Sequence, residues 1–160
     1  MATIVIGIGN AVRTDDAVGL HAVRAIAERT SGRTDIATQE LHAGGIRLME
    51  AMAGYRTAIL IDAAETEGGT PGTIRAVPAA GLLRTRNTHS MHDASLPVAL
   101  AFGRQAGLAL PVEITVWTVE AADIENFGET LTPAVENALP QVVEQVIEQL
   151  GDDPSRSKPA

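Results

Sequence analysis

"TAILIDA", residues 57–63, is the stretch on which the fold turns. Ala58, Ile59, Leu60 and Ile61 follow one another without a polar break. A strand apolar on both faces must be covered on both, as at the centre of a parallel sheet with helices above and below. The chain on either side supplies such helices. Before it, "TIVIGI" (3–8) reads as a second buried strand. "DAVGLHAVRAIAERT" (16–30) sets Val18, His21, Ala22, Ala25 and Ile26 along one helical stripe. "DIATQEL" (35–41) alternates as a strand does, and "IRLMEAMAGY" (46–55) is a helix opened by Gly44–Gly45 and closed near Gly54.

After it, "EGGTPGTIRAVP" (67–78) holds a Gly/Pro turn and then a short strand. So short a separation from 57–63 predicts a hairpin, and hence an antiparallel strand, rather than a helical crossover. "DASLPVALAFGRQAG" (93–107) is a helix with Pro97 near its first turn, where proline is tolerated. "VEITVWTV" (112–119) is the last strand. "TPAVENALPQVVEQVIEQL" (132–150) is a helix with Thr132 as N-cap, Pro133 first, Glu136 within capping distance and a kink expected at Pro140. The alternation predicts an α/β fold, a three-layer sandwich around a mostly parallel sheet. One domain over 1–150 is expected, without internal repeats, followed by a polar tail, 151–160, expected to be disordered.

Composition narrows the function. The chain has 160 residues, 45 % apolar but only 2 % aromatic, so its core must be built from Ala, Val, Ile and Leu. A formal net charge of −8 argues against a nucleic-acid or anionic-membrane surface. With no cysteine, disulfides, thiolate nucleophiles and Cys-based metal sites are excluded. No basic n-region precedes the first strand, and no apolar run approaches the ~20 residues needed to span a bilayer. A cytoplasmic monomer is expected.

Sites in parallel α/β sheets gather at the carboxyl ends of the strands, and three polar residues fall there. Asp16 lies in "GIGNAVRTDDAVG" (7–19), a glycine-bearing turn that carries two acids where a phosphate would want positive charge. Val12 also breaks the dinucleotide pattern that Gly7 and Gly9 begin. Asp62 ends the central strand, and His92 lies in "NTHSMHD" (87–93), near His89. Each has a bland explanation. One of Asp15 and Asp16 can cap the following helix, worth ~1 kcal/mol. Asp62 can form a turn, although a carboxylate ending a buried apolar strand is costly unless paired. His92 can be a surface histidine. Together, two carboxylates and an imidazole suit a divalent transition metal, whereas Mg²⁺ or Ca²⁺ would prefer all oxygen. No G-x-S-x-G elbow or evident Ser–His–Asp set accompanies them.

"GIGNAVRTDDAVG", "AILIDAA", "SMHDASL" and "FGETLTPAV" (127–135), in that order over about residues 3–150, resemble the hydrogenase maturation endopeptidases. The resemblance implies a three-layer α/β/α sandwich with a five-stranded sheet and one antiparallel strand. It implies a cytoplasmic protease whose partner is the large-subunit precursor of a [NiFe] hydrogenase. Such a protease removes a short C-terminal extension after nickel insertion, with no organic cofactor. By residue matching, Asp16, Asp62 and His92 would be both the catalytic set and the ligands of the nickel. Cleavage by metal polarisation of the carbonyl and by a carboxylate general base, Asp16 among them, both stay open. "LHAGGIRL" (41–48) departs from the family, with His42 and Ala43 where an Asp-Gly-Gly-type stretch is usual and Gly45 matching its last glycine. That loop is associated with substrate recognition, and His42 becomes a further candidate contact to metal or substrate. The alternatives are a non-catalytic nickel checkpoint on the loaded subunit and a metal-dependent small-molecule hydrolase.

Overall fold

The computed structural model describes residues 2–79 and 95–151. In chain order the elements are β1 (Thr3–Ile8), a 3-10 turn (Thr14–Ala17), α1 (Val18–Arg29), β2 (Ile36–Leu41) and α2 (Gly45–Met52). There follow β3 (Thr57–Ala64), β4 (Ile74–Pro78), α3 (Leu96–Gln105), β5 (Glu113–Glu120) and α4 (Pro133–Leu150). The strands form one five-stranded sheet in the order β2-β1-β3-β5-β4. All neighbours are parallel except β4 and β5.

β3 takes the centre, as its double-faced apolarity requires, and every residue of it from Ala58 onward is buried. Ile59, Ile61 and Ala63 face a core shared with α1 and α4, and Ala58 and Leu60 face a second core shared with α2 and α3. The sheet is thus covered by α1 and α4 on one face and by α2 and α3 on the other, an α/β/α sandwich. The edge strands β2 and β4 are only partly buried and more polar, as edges should be. At Gly19, an added Cβ would overlap the backbone carbonyls of Ile8 and Ile61. α1 therefore packs backbone to backbone over the carboxyl ends of β1 and β3, which only glycine permits.

β4 is antiparallel as expected, but its partner is not β3. β5 lies between them, pairing with β3 from Thr57↔Glu113 to Ala64↔Glu120 and with β4 from Pro78↔Thr115 to Ile74↔Val119. The connection from β3 to β4 instead crosses the end of β5. There Gly72 N–H donates to the Glu120 carbonyl at 2.8 Å, and Glu120 N–H donates to the Thr73 carbonyl at 2.8 Å. Pro140 lies inside α4, which is helical throughout Pro133–Leu150. Thr132 is the α4 N-cap residue, but its side chain does not cap the helix. The expected tail from 152 onward lies outside the described residues. No helix among the described residues is long and apolar enough to cross a membrane.

Candidate active site

β1 connects through α1 to β2 on one side of it, and the chain then returns through α2 to β3 on its other side. The two crossover helices lie on opposite faces. In sheets of this kind ligands bind at the carboxyl ends of the strands that flank such a switch point, here β1 and β3. The 3-10 turn bearing Asp15 and Asp16 packs against β3. The pairing of β1 with β3 ends at Gly7↔Ile61, so Asp62 is the first residue of β3 beyond it. By strand alternation Asp62 lies on the α2–α3 side of the sheet, next to Thr118 in register.

The carboxylates here are withdrawn from water: Asp15 is 0 %, Asp16 3 %, Asp62 0 % and Glu120 2 % exposed. A fully buried Ile stabilises a fold by about 1.5–3 kcal/mol, whereas a buried carboxylate costs several unless compensated. Asp15 is compensated completely by the loop between β5 and α4. Its Oδ2 accepts the amides of Ala122 (2.9 Å) and Asp123 (3.0 Å) and the Thr132 hydroxyl (2.8 Å). Its Oδ1 accepts the Thr132 amide at 2.7 Å. Asp15 N–H in turn donates to the Asp123 carbonyl at 3.0 Å. Thr132 thus spends its hydroxyl on Asp15 rather than on its own helix, which is why the expected cap is missing.

Asp16 is held from the backbone. Its N–H donates to the Arg13 carbonyl at 2.8 Å, and its carbonyl accepts the Asn10 amide at 3.3 Å. An added Cβ at Gly9 would overlap that carbonyl, so Gly9 permits the tight return that brings Asp16 over the end of β1. The two adjacent acids therefore differ: Asp15 is committed to four hydrogen bonds that tie two loops together, and Asp16, buried beside it, is held through its backbone at the end of β1.

Glu120 is a further buried acid at the same sheet edge. Its Oε1 accepts the Thr66 amide at 2.6 Å, and its Oε2 lies 3.6 Å from Arg75 Nη1 without a hydrogen bond. The sequence signal for Glu120 was only an acid ending an alternating strand. Asp123 organises the β5–α4 loop by accepting the amides of Glu125 and Asn126, both at 3.0 Å, and the Asn126 side-chain amide at 2.9 Å. Hydrogen bonds from Asn126, backbone first, hold the Asp123 carboxyl below its ordinary range. The Arg24 guanidinium does the same for Glu40, with lesser help from His42 and His21.

His42 Nδ1 lies 3.1 Å from the Gly9 carbonyl. A carbonyl can only accept, so Nδ1 carries a proton and donates it to Gly9. The β2–α2 loop is thereby fastened to the β1–α1 loop. His92 and His89 lie outside the described residues. Among the described residues, no three His, Cys, Asp or Glu side chains form a group that could hold a metal.

A doubly covered α/β sheet with buried acids at its switch point defines the class: an α/β enzyme with an acidic, oxygen-rich site. Comparison with known proteins gives the family. Residues 20–149 match the family model described as HycI, hydrogenase maturation protease. The chain is 31 % identical over 156 residues to the hydrogenase 2 maturation protease of Escherichia coli (strain K12), covering 94 % of this chain and 91 % of that one. It superposes on the solved hydrogenase maturating endopeptidase HybD of E. coli with a TM-score of 0.76 at 26 % identity, over 94 % and 92 % of the two chains. The [NiFe] hydrogenase maturation protease HybD of Thermococcus kodakarensis shares the fold, with a TM-score of 0.69 at 23 % identity over 95 % and 100 %. The chain belongs to the hydrogenase maturation protease family, and it is an enzyme, a hydrolase.

Proposed function

We propose that this protease removes the C-terminal extension of a [NiFe] hydrogenase large subunit, and that it does so only when nickel is already in place. What supports this reading is that Asp16 and Asp62 are both buried carboxylates, one on the 3-10 turn and the other on β3, against which that turn packs. Two carboxylates joined by an imidazole form an oxygen/nitrogen donor set suited to a divalent transition ion. On this reading the third donor is His92. The nickel belongs to the substrate: Asp16, Asp62 and His92 grip it as a recognition element, and its presence draws the scissile segment to the site. Hydrolysis then consumes one water, whose oxygen adds to the carbonyl carbon while its proton passes to the departing amine. The reading keeps the cytoplasmic location that the family resemblance implies.

The test sets nickel-loaded and nickel-free large-subunit precursor side by side with the enzyme and follows their masses. The expected result is loss of a C-terminal fragment from the loaded precursor alone. Equal trimming of both overturns the role of nickel. Nickel-dependent binding with unchanged mass replaces the protease by a checkpoint.

A further inference from the structure

The exposed large apolar residues of the described chain fall into two groups. Val98, Phe102, Leu108 and Val112 lie on α3 or between it and β5, whereas Val12 and Phe127 lie on the connections that leave the carboxyl ends of β1 and β5, and Ile46 lies in the first turn of α2. Phe127 is the most exposed, at 78 %. Leaving a Phe in water forgoes about 1.5–3 kcal/mol of burial. The Arg13 guanidinium lies 5.5 Å from its ring centroid, but an exposed contact of that kind returns only about 0.5–1 kcal/mol.

The exposure is not slack in the loop. Thr14 Oγ1 donates to the Asn126 carbonyl at 2.9 Å, and Gly128 N–H donates to the Val12 carbonyl at 3.0 Å, so the β1–α1 and β5–α4 loops are joined on both sides of Arg13 and Phe127. Asp123 braces the same loop from within, and Asp15 pins it to the turn that carries Asp16. A braced aromatic displayed at the mouth of a site is what a preorganised contact requires. The two loops also carry Asp15, Asp16, Asp123, Glu125 and Glu129, with Arg13 as their cation. Among the described residues Arg13 forms no ion pair. Its planar fork, stacked by the ring, is free to take a carboxylate edge-on.

We propose that Val12, Arg13 and Phe127 form the docking rim for the polypeptide that flanks the scissile bond, with Phe127 covered by an apolar side chain of that segment and Arg13 paired with an acidic one. This rests on the proposed function and adds to it the surface that sets the substrate's register. In acidic surroundings a lone cation contributes placement more than attraction.

The experiment measures cleavage of nickel-loaded precursor by the full-length protein and by Phe127→Ala, Phe127→Trp, Arg13→Glu and Arg13→Lys. Phe127→Ala and Arg13→Glu should each raise KM by about 10-fold or more, as loss of a central contact does, with kcat within about 2-fold. Phe127→Trp and Arg13→Lys should keep most of the wild-type KM, and no variant should shift the melting temperature. An unchanged KM in both disruptive variants overturns the rim, as does a fall in kcat at constant KM. Wild-type protein that fails to cut contradicts the function instead. The rim is then judged by precursor binding alone, which Phe127→Ala must weaken by the same factor.

Discussion

The two ends of the sheet differ in what they bury. At the carboxyl end, Asp15, Asp16, Asp62 and Glu120 are all withdrawn from solvent, and among the described residues they are the only buried carboxylates. At the amino end the Arg33–Asp35 pair keeps its side chains 14 % and 32 % exposed. At the same end but at the opposite edge of the sheet, the start of β5, the end of β4 and α3 frame a groove of about 740 Å³ whose lining includes Pro78, Pro97, Leu100, Pro111 and Ile114. A hollow is therefore not by itself a site. The groove offers apolar surface and few groups able to do chemistry, whereas the carboxyl end keeps charge out of water at a cost in stability that function must justify.

That contrast can be broken by substitution. The largest effect is expected for Asp15→Ala, which strands the amides of Ala122, Asp123 and Thr132 and the Thr132 hydroxyl. Loss of so many bonds to one buried carboxylate should cost about 3–5 kcal/mol, lowering the melting temperature by roughly 10 °C and taking activity with it. Asp16→Asn should separate the neighbours. We expect cleavage to fall by at least about 100-fold, as for loss of a metal ligand or its support, with the melting temperature changed by no more than about 3 °C. A variant equally unstable to Asp15→Ala would show Asp16 to be structural too. At the amino end, Arg33→Ala removes two hydrogen bonds to Asp35 and one to the Gly151 carbonyl and should cost about 1–2 kcal/mol, leaving cleavage unchanged. A large loss there would erase the difference between the two ends.

How much of this was legible depended on the range of the interaction. β3 announced its central place through its own apolar residues, since burial on both faces is a local property of a strand. β4 announced its direction but not its partner. The short Glu65–Thr73 connection favours a hairpin only if the space beside β3 is empty, and β5, from much later in the chain, fills it. Thr132 has the sequence of a capping residue, yet its hydroxyl goes to Asp15, 117 residues away. Asp16 and Asp62 were legible as candidates because the end of a strand is a sequence position, whereas the division of labour between Asp15 and Asp16 was not, because the β5–α4 loop decides it. Arg13 and Phe127 each fall within a motif that carried the resemblance, but nothing in either motif pairs them, because they meet only when two loops distant in the chain are joined.

The most direct test of the central claim is the mass of a nickel-loaded large-subunit precursor after incubation with folded Asp62→Ala protein. The acids at the switch point are held to grip the nickel, so the precursor should keep its full length while wild-type enzyme trims it. Trimming by Asp62→Ala at the wild-type rate would contradict that claim.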